Sequence, residues 1–140
     1  MNSDKNDILL SCHDISRSFN MPATATAPAR ELTVLNKLNL VVRRGEMVSI
    51  VGQSGTGKST LLHILGTLDR PSSGRLAYGD QDVFSMKPNE LARFRNEHIG
   101  FVFQFHHLLA EFSALENAML PLLISGTSRK DAIQQAQPIL

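Results

Sequence analysis

The chain has 140 residues, 42% of them hydrophobic and 19% charged, with a formal net charge of +1. That length suits one domain or part of one, and the composition is that of a globular protein. The near-neutral charge implies no strong attraction to nucleic acid or to an anionic membrane surface, and no apolar run approaches the ~20 residues of a bilayer-spanning helix.

Taken in chain order, residues 1–8 (MNSDKNDI) lack the basic start and apolar run of a secretory signal, so none is expected. Ile8–Ile15 is predicted as the first strand, and its Cys12, the single cysteine, excludes an internal disulfide and reads as inert strand filler of a reducing compartment. Residues 22–29 (PATATAPA) are small, Pro-containing and aperiodic, which predicts an exposed hairpin loop. Strand character returns at Val34-Leu35 and Leu38–Val42, and Arg43-Arg44-Gly45-Glu46 predicts a turn. Met47–Val51, apolar and β-branched, predicts a buried strand, and Thr60–Leu65 predicts a helix. Pro71-Ser72-Ser73-Gly74 closes that helical region, and Arg75–Tyr78 with the Gly79-Asp80 turn predicts a short strand and hairpin. Pro88–Arg95 predicts a short helix with proline in its first turn, and Ile99–Gln104 is β-like. Ser113-Ala114-Leu115-Glu116 is a capping box, which predicts a helix whose buried face carries Leu115, Met119, Leu122 and Leu123. Pro121 should kink that helix, Gly126 should end it, and Ser128 can cap a last helix from about Arg129.

The most informative stretch is Gly52-Gln53-Ser54-Gly55-Thr56-Gly57-Lys58-Ser59, a complete G-x-x-x-x-G-K-S phosphate-binding loop. It sits between a predicted strand and a predicted helix, the context in which the motif works. The glycines let backbone N–H groups point inward, and the helix that follows adds its positive end, so the pair forms an anion cradle. Lys58 offers a mobile positive charge to β- and γ-phosphates, and the Ser59 hydroxyl offers a ligand to Mg²⁺. The bland alternative is an ordinary glycine turn before a helix. The loop alone leaves kinases, GTPases, helicases and transporters open.

The flanking residues narrow this. The loop continues through Thr60 into LLHILGTLDRPSSG (residues 61–74), and Ile99-Gly100-Phe101-Val102-Phe103-Gln104 follows downstream. From about Leu9 to Leu140 the chain resembles the nucleotide-binding domain of ABC transporters. Within that family the run Gln104-Phe105-His106-His107-Leu108-Leu109, with Phe112, Ala114-Leu115-Glu116-Asn117 and Pro121-Leu122-Leu123, is similar to the ATPase subunits of lipoprotein-releasing systems.

The resemblance implies an α/β fold of the P-loop NTPase type, with an antiparallel β flank and the start of a helical subdomain after Gln104. It implies ATP and Mg²⁺ as cofactors and ATP hydrolysis as the family activity. Phe19, Gly52, Gln53, Ser54, Gly55, Thr56, Gly57, Lys58, Ser59 and Thr60 would hold the nucleotide, Lys58 and Gln104 would be catalytic, and Ser59 and Gln104 would meet the metal. Gln104 matches the family's Q-loop; a neutral amide with one acceptor and two donors can ligate Mg²⁺ and still let go, though it is also a plausible polar end to a strand. Phe19 falls where the family carries an aromatic, more often Tyr, that stacks on adenine; core packing is the alternative. His106 and His107 read as a loop surface touching a partner rather than as metal ligands, and His63 as a packing or surface residue.

Implied partners are transmembrane subunits of the LolC/LolE type, docking near Gln104–Leu123, and a second copy of the ATPase subunit, with no nucleic acid and no membrane span in the chain itself. The implied location is the cytoplasmic face of a bacterial inner membrane. The family's L-S-G-G-Q signature, Walker B acids and switch histidine have no match here, so residues 1–140 read as a truncated nucleotide-binding domain. Two alternatives stand beside the transport ATPase: a nucleotide-binding but catalytically inactive fragment, and the ATPase of another ABC exporter, of macrolide or cell-division type.

Overall fold

A computed structural model describes residues 7–23 and 28–140, which divide into two units, one up to Lys87 and one from Pro88 to Leu140. The first unit is an antiparallel sheet with one helix. Its elements are β1 (Ile8–Met21), β2 (Arg30–Arg43), α1 (Lys58–Leu65), β3 (Ser73–Tyr78) and β4 (Gln81–Asp82), followed by a 3-10 turn at Val83–Ser85. The strand order is β2-β1-β3-β4, and every neighbouring pair is antiparallel.

β1 outruns its expected end because β2 pairs with it as far as Met21 opposite Arg30. The expected hairpin loop lies between these paired ends; residues 24–27 of it fall outside the described residues. Leu10, Cys12 and Ile15 point from β1 into the core, where Leu35, Leu61, Ile64, Leu76 and Val83 join them. Burial pushes the Cys12 thiol up to about 11, so it stays protonated and inert, as strand filler should. The Tyr78 hydroxyl donates to the Leu65 carbonyl at 2.8 Å and so ties β3 to the end of α1.

The β1 register slips between Cys12 and Ile15, and Asp14 and Lys37 adopt left-handed φ angles of 50° and 47° there. Side chains hold this bulge: Asn39 donates to Asp14 Oδ1 at 3.1 Å, and Ser16 Oγ accepts from the Lys37 amide at 2.9 Å. Gly74 crosses the bulge at φ 95°, and a Cβ there would collide with the Asp14 carbonyl. Only glycine fits that crossing.

Two expected strands are absent. Residues 47–51 form no strand, with Met47 97% and Val51 86% exposed, and residues 99–104 form none, with Val102 fully exposed. Their β-branched, apolar character was read correctly as propensity. A strand, however, needs a ladder partner, and no described strand pairs with either segment. The Phe101 and Phe103 rings stack at 5.1 Å instead, and Phe103 meets His107 edge-on at 4.8 Å.

The second unit is helical: α2 (Pro88–His98), α3 (Ala114–Ile124) and α4 (Arg129–Ala136), with a 3-10 turn at Gln137–Ile139. Met119 packs with Ala132 and Ala136, flanked by Leu115, Leu122, Leu123 and Ile133, so the expected apolar face of α3 is its buried face. The capping box forms as expected: Ser113 Oγ accepts from the Glu116 amide at 3.3 Å, and Glu116 accepts from the Ser113 amide at 3.0 Å. Ser128 caps α4 in the same way, accepting from the Asp131 amide at 3.2 Å. Pro121 sits inside α3, and its carbonyl accepts from Asn96 Nδ2 at 3.1 Å, which fastens α2 to α3.

Candidate functional site

Residues 52–57 form a loop, exposed over 52–56 and half-buried at Gly57, that runs into α1, with left-handed φ angles of 80° at Gly55 and 90° at Gly57. Gly57 is the N-cap of α1, no side chain caps it, and no acidic residue stands in the first turn. The opening N–H groups of a helix have no partners within it and carry its positive dipole end, so this terminus is left open to an anion. Gly57 is also pressed against β2: a Cβ would stand 2.8 Å from Val34 Cγ1 and 3.0 Å from Leu35 Cδ2. The junction of loop and helix therefore rests on the sheet, which explains why the third motif glycine cannot be another residue.

Lys58 bends back over the loop. Its Nζ donates to the Gly52 carbonyl at 2.8 Å and to the Gln53 carbonyl at 2.6 Å. Both partners are neutral carbonyl oxygens, so these two contacts place no counter-charge beside the ammonium. Thr56 closes the turn by donating its hydroxyl to the Gln53 carbonyl at 2.8 Å. Ser59 lies exposed in the first turn of α1, with Thr60 next to it. The donor set, with one cation, free helix N–H groups and hydroxyls but no acidic side chain, fits a polyphosphate. The Ser59 hydroxyl oxygen also suits a hard cation such as Mg²⁺ carried on those phosphates.

Phe19, on β1 in the same unit, is 39% exposed and thus not core packing. The Arg17 guanidinium lies 4.5 Å from its ring centroid and is itself paired with Asp69. Neither Arg17 nor Asp69 is among the residues expected at the site from the sequence. The available signal was the i, i+2 spacing of Arg17 and Phe19, which places both on one face of a strand. Gln104 belongs to the second unit and is exposed. His106 and His107 are exposed beside it, and among the described residues no His, Cys, Asp or Glu cluster could hold a metal. His63 is exposed on α1, as a surface residue.

Asn117, part of the Ala114–Asn117 run quoted for the family resemblance, has a structural role that the sequence did not reveal. Its Nδ2 lies within 3.0–3.1 Å of the carbonyls of Leu109, Phe112 and Ser113, and its Oδ1 accepts from the Leu109 amide at 2.9 Å. One side chain thereby shapes the loop that carries Leu108, Leu109 and Phe112 to the surface.

A family model described as ABC transporter matches residues 35–139. The chain is 52% identical over 132 residues to a lipoprotein-releasing system ATP-binding protein LolD of Geobacter metallireducens, covering 94% of this chain and 56% of that protein. It is 49% identical to the LolD of Idiomarina loihiensis and 50% identical to that of Chromohalobacter salexigens, over 96% of this chain in each case. The chain spans about half the length of the curated relatives it matches. Among solved structures it is similar to an ATP-binding cassette seen as a dimer in a post-hydrolysis state bound to ADP and Pi. That match has a TM-score of 0.81 and 32% identity, and it covers 92% of this chain and 54% of the other.

Proposed function

The chain belongs to the ABC transporter family, and from that membership we propose that it is the ATP-binding part of a subunit that hydrolyses ATP to drive lipoprotein release from a membrane. The observation that carries the reading is the phosphate cradle: the Gly57 N-cap open to an anion, with the Lys58 ammonium held on loop carbonyls at its mouth. In this reading Gly52–Thr60 bind the triphosphate, with N–H groups of the loop and of α1 facing its oxygens. Lys58 moves from the Gly52 and Gln53 carbonyls to the β- and γ-phosphates, where a formal negative charge outcompetes neutral oxygens. Ser59 and Gln104 would hold Mg²⁺ through oxygen atoms. When bound, the ion neutralises charge that develops as the γ-phosphoryl group leaves. Phe19 would offer a flat apolar surface to the adenine.

The relatives' name supports lipoprotein release over the other exporter types as the transported process. LolC- and LolE-like membrane subunits as partners, and a location on the cytoplasmic face of the inner membrane, are part of the same proposal. The similar cassette solved as a dimer supports pairing with a second ATPase subunit. Among the described residues no helix is long and apolar enough to cross a membrane.

The test is a chimera in which this chain replaces the matching part of a LolD relative, co-expressed with that relative's membrane subunits. ATP-driven lipoprotein release should be restored, and Lys58→Ala in the chimera should abolish it. Release that persists with Lys58→Ala would refute the assignment.

A further inference from the structure

We propose that Arg17 is a positioning residue that sets Phe19 as a platform for a purine base, in register with the phosphate loop through Asp69. The inference rests on the nucleotide-binding reading above and deepens it by naming what selects the base.

Arg17 and Phe19 are two residues apart on β1 and share one face of the strand. The guanidinium carbon lies 4.5 Å from the Phe19 ring centroid, so one side of the ring is taken by a cation while the residue remains 39% exposed. The β1–β2 register slips between Arg17 and Ser18, with the extra residue, Val34, on β2, so the alternation of β1 that puts Arg17 and Phe19 on one face is kept. The bulge is pinned from both sides: Ser18 Oγ meets Thr33 Oγ1 at 3.1 Å, and the Ser18 amide donates to Ser72 Oγ at 3.0 Å.

The other end of Arg17 is anchored. Its Nη2 lies 3.0 Å from both carboxylate oxygens of Asp69. Asp69 is in turn fixed to the end of α1, since its amide donates to the His63 carbonyl at 3.2 Å and its Oδ1 accepts from the Arg70 amide at 2.8 Å. α1 is the helix that the phosphate loop enters. A continuous path of short contacts therefore runs from the ring to the helix that would receive the phosphates, and it sets base and phosphate positions together.

Arg17 Nε is buried and has no hydrogen-bond partner among the described residues. An arginine serving only the ion pair would turn that donor outward or pair it. Here the guanidinium gives it up to lie over the ring. A cation behind an aromatic ring draws π density toward itself and leaves the far face a better partner for an electron-rich purine. Phenylalanine brings no polar tip, so the platform selects a purine by its area and not by its exocyclic groups. Lysine, with no planar head, would replace Arg17 only in part.

The experiment measures binding of ATP and of inorganic tripolyphosphate to the full chain, as wild type, Arg17→Ala, Arg17→Lys, Phe19→Ala and the Arg17→Ala/Phe19→Ala double variant. Tripolyphosphate reads the phosphate loop alone; the ratio of the two affinities reads the base. Arg17→Ala should weaken ATP about three- to tenfold and leave tripolyphosphate unchanged. Arg17→Lys should recover part of the loss, and the double variant should be no worse than Phe19→Ala. Equal weakening of both ligands by Arg17→Ala would make Arg17 a structural residue and overturn the proposal, as would an unchanged ATP affinity or additive losses in the double variant. Wild type that binds tripolyphosphate as tightly as ATP would refute the platform and spare the loop. Wild type that binds neither would refute the nucleotide-binding reading, and this inference with it.

Discussion

Gly57 carries two constraints at once: a left-handed φ of 90° and contact with Val34 and Leu35. Gly57→Ala should therefore destabilise the first unit by about 1–3 kcal/mol and displace the loop from β2. Urea unfolding with nucleotide titration would check it, and an unchanged midpoint with unchanged affinity would contradict the packing described. Cys12 makes a second residue-scale prediction. Burial raises its thiol from an ordinary 9.0 to about 11, so the folded state holds this proton more tightly than the unfolded state. Its contribution to stability is full below pH 9 and is lost as pH rises toward 11. Cys12→Ala should flatten the loss of stability across that window in a pH series of thermal unfolding. In native protein at neutral pH, Cys12 should resist thiol reagents until denaturant is added.

At the scale of the element, local signals were legible wherever the structure is decided locally. The capping box at Ser113, the Ser128 cap and the Gly79-Asp80 hairpin each depend on residues within four positions of one another, and the hydrogen bonds of the glycine loop on residues within six. The 47–51 and 99–104 segments failed for the opposite reason: strand formation depends on a distant partner that propensity does not report. The Arg17–Asp69 pair, separated by 52 residues, was illegible for the same reason. The α3 cap supplies the element-scale prediction. The Glu116 carboxyl is held below its ordinary range by the Ser113 amide and hydroxyl, then by Arg129. A depressed carboxyl contributes stability that is present above its unfolded range and lost as pH falls through its folded one. Ser113→Ala should cost the second unit about 1 kcal/mol and reduce its acid sensitivity, as read by helical circular dichroism between neutral pH and acid. An acid profile identical to wild type would show that the cap contributes nothing.

At the scale of the whole molecule, the turn geometry of residues 52–57 and the start of α1 at Lys58 were readable because contiguous backbone sets them. Phe19 was singled out from the sequence, but the Arg17 guanidinium 4.5 Å from its ring centroid was not. Met47 and Val51, 97% and 86% exposed, lead directly into the loop, so the segment before the cradle has little of its own to hold it. Amide hydrogens of residues 47–51 should exchange quickly, while those of β1 should be protected. Slow exchange in 47–51 of a monomer would contradict the arrangement described.

The isolated chain should also release no phosphate from ATP. Residues 105–140 contain no apolar strand followed by paired acids. Glu116 is occupied by Ser113 and Arg129, so it is not available as a general base. Magnesium-dependent phosphate release above a Lys58→Ala control would contradict this.

The central claim is that the loop Gly52–Thr60 binds the triphosphate of ATP, with Lys58 as its cation. Equilibrium titration of a fluorescent ATP analogue against the chain and against Lys58→Ala tests it most directly, with circular dichroism to show that both fold alike. The chain should bind saturably, and the variant should lose at least about tenfold in affinity, since a charge-assisted contact to phosphate contributes about 1.5–3 kcal/mol. Equal affinity in two equally folded proteins would contradict the claim.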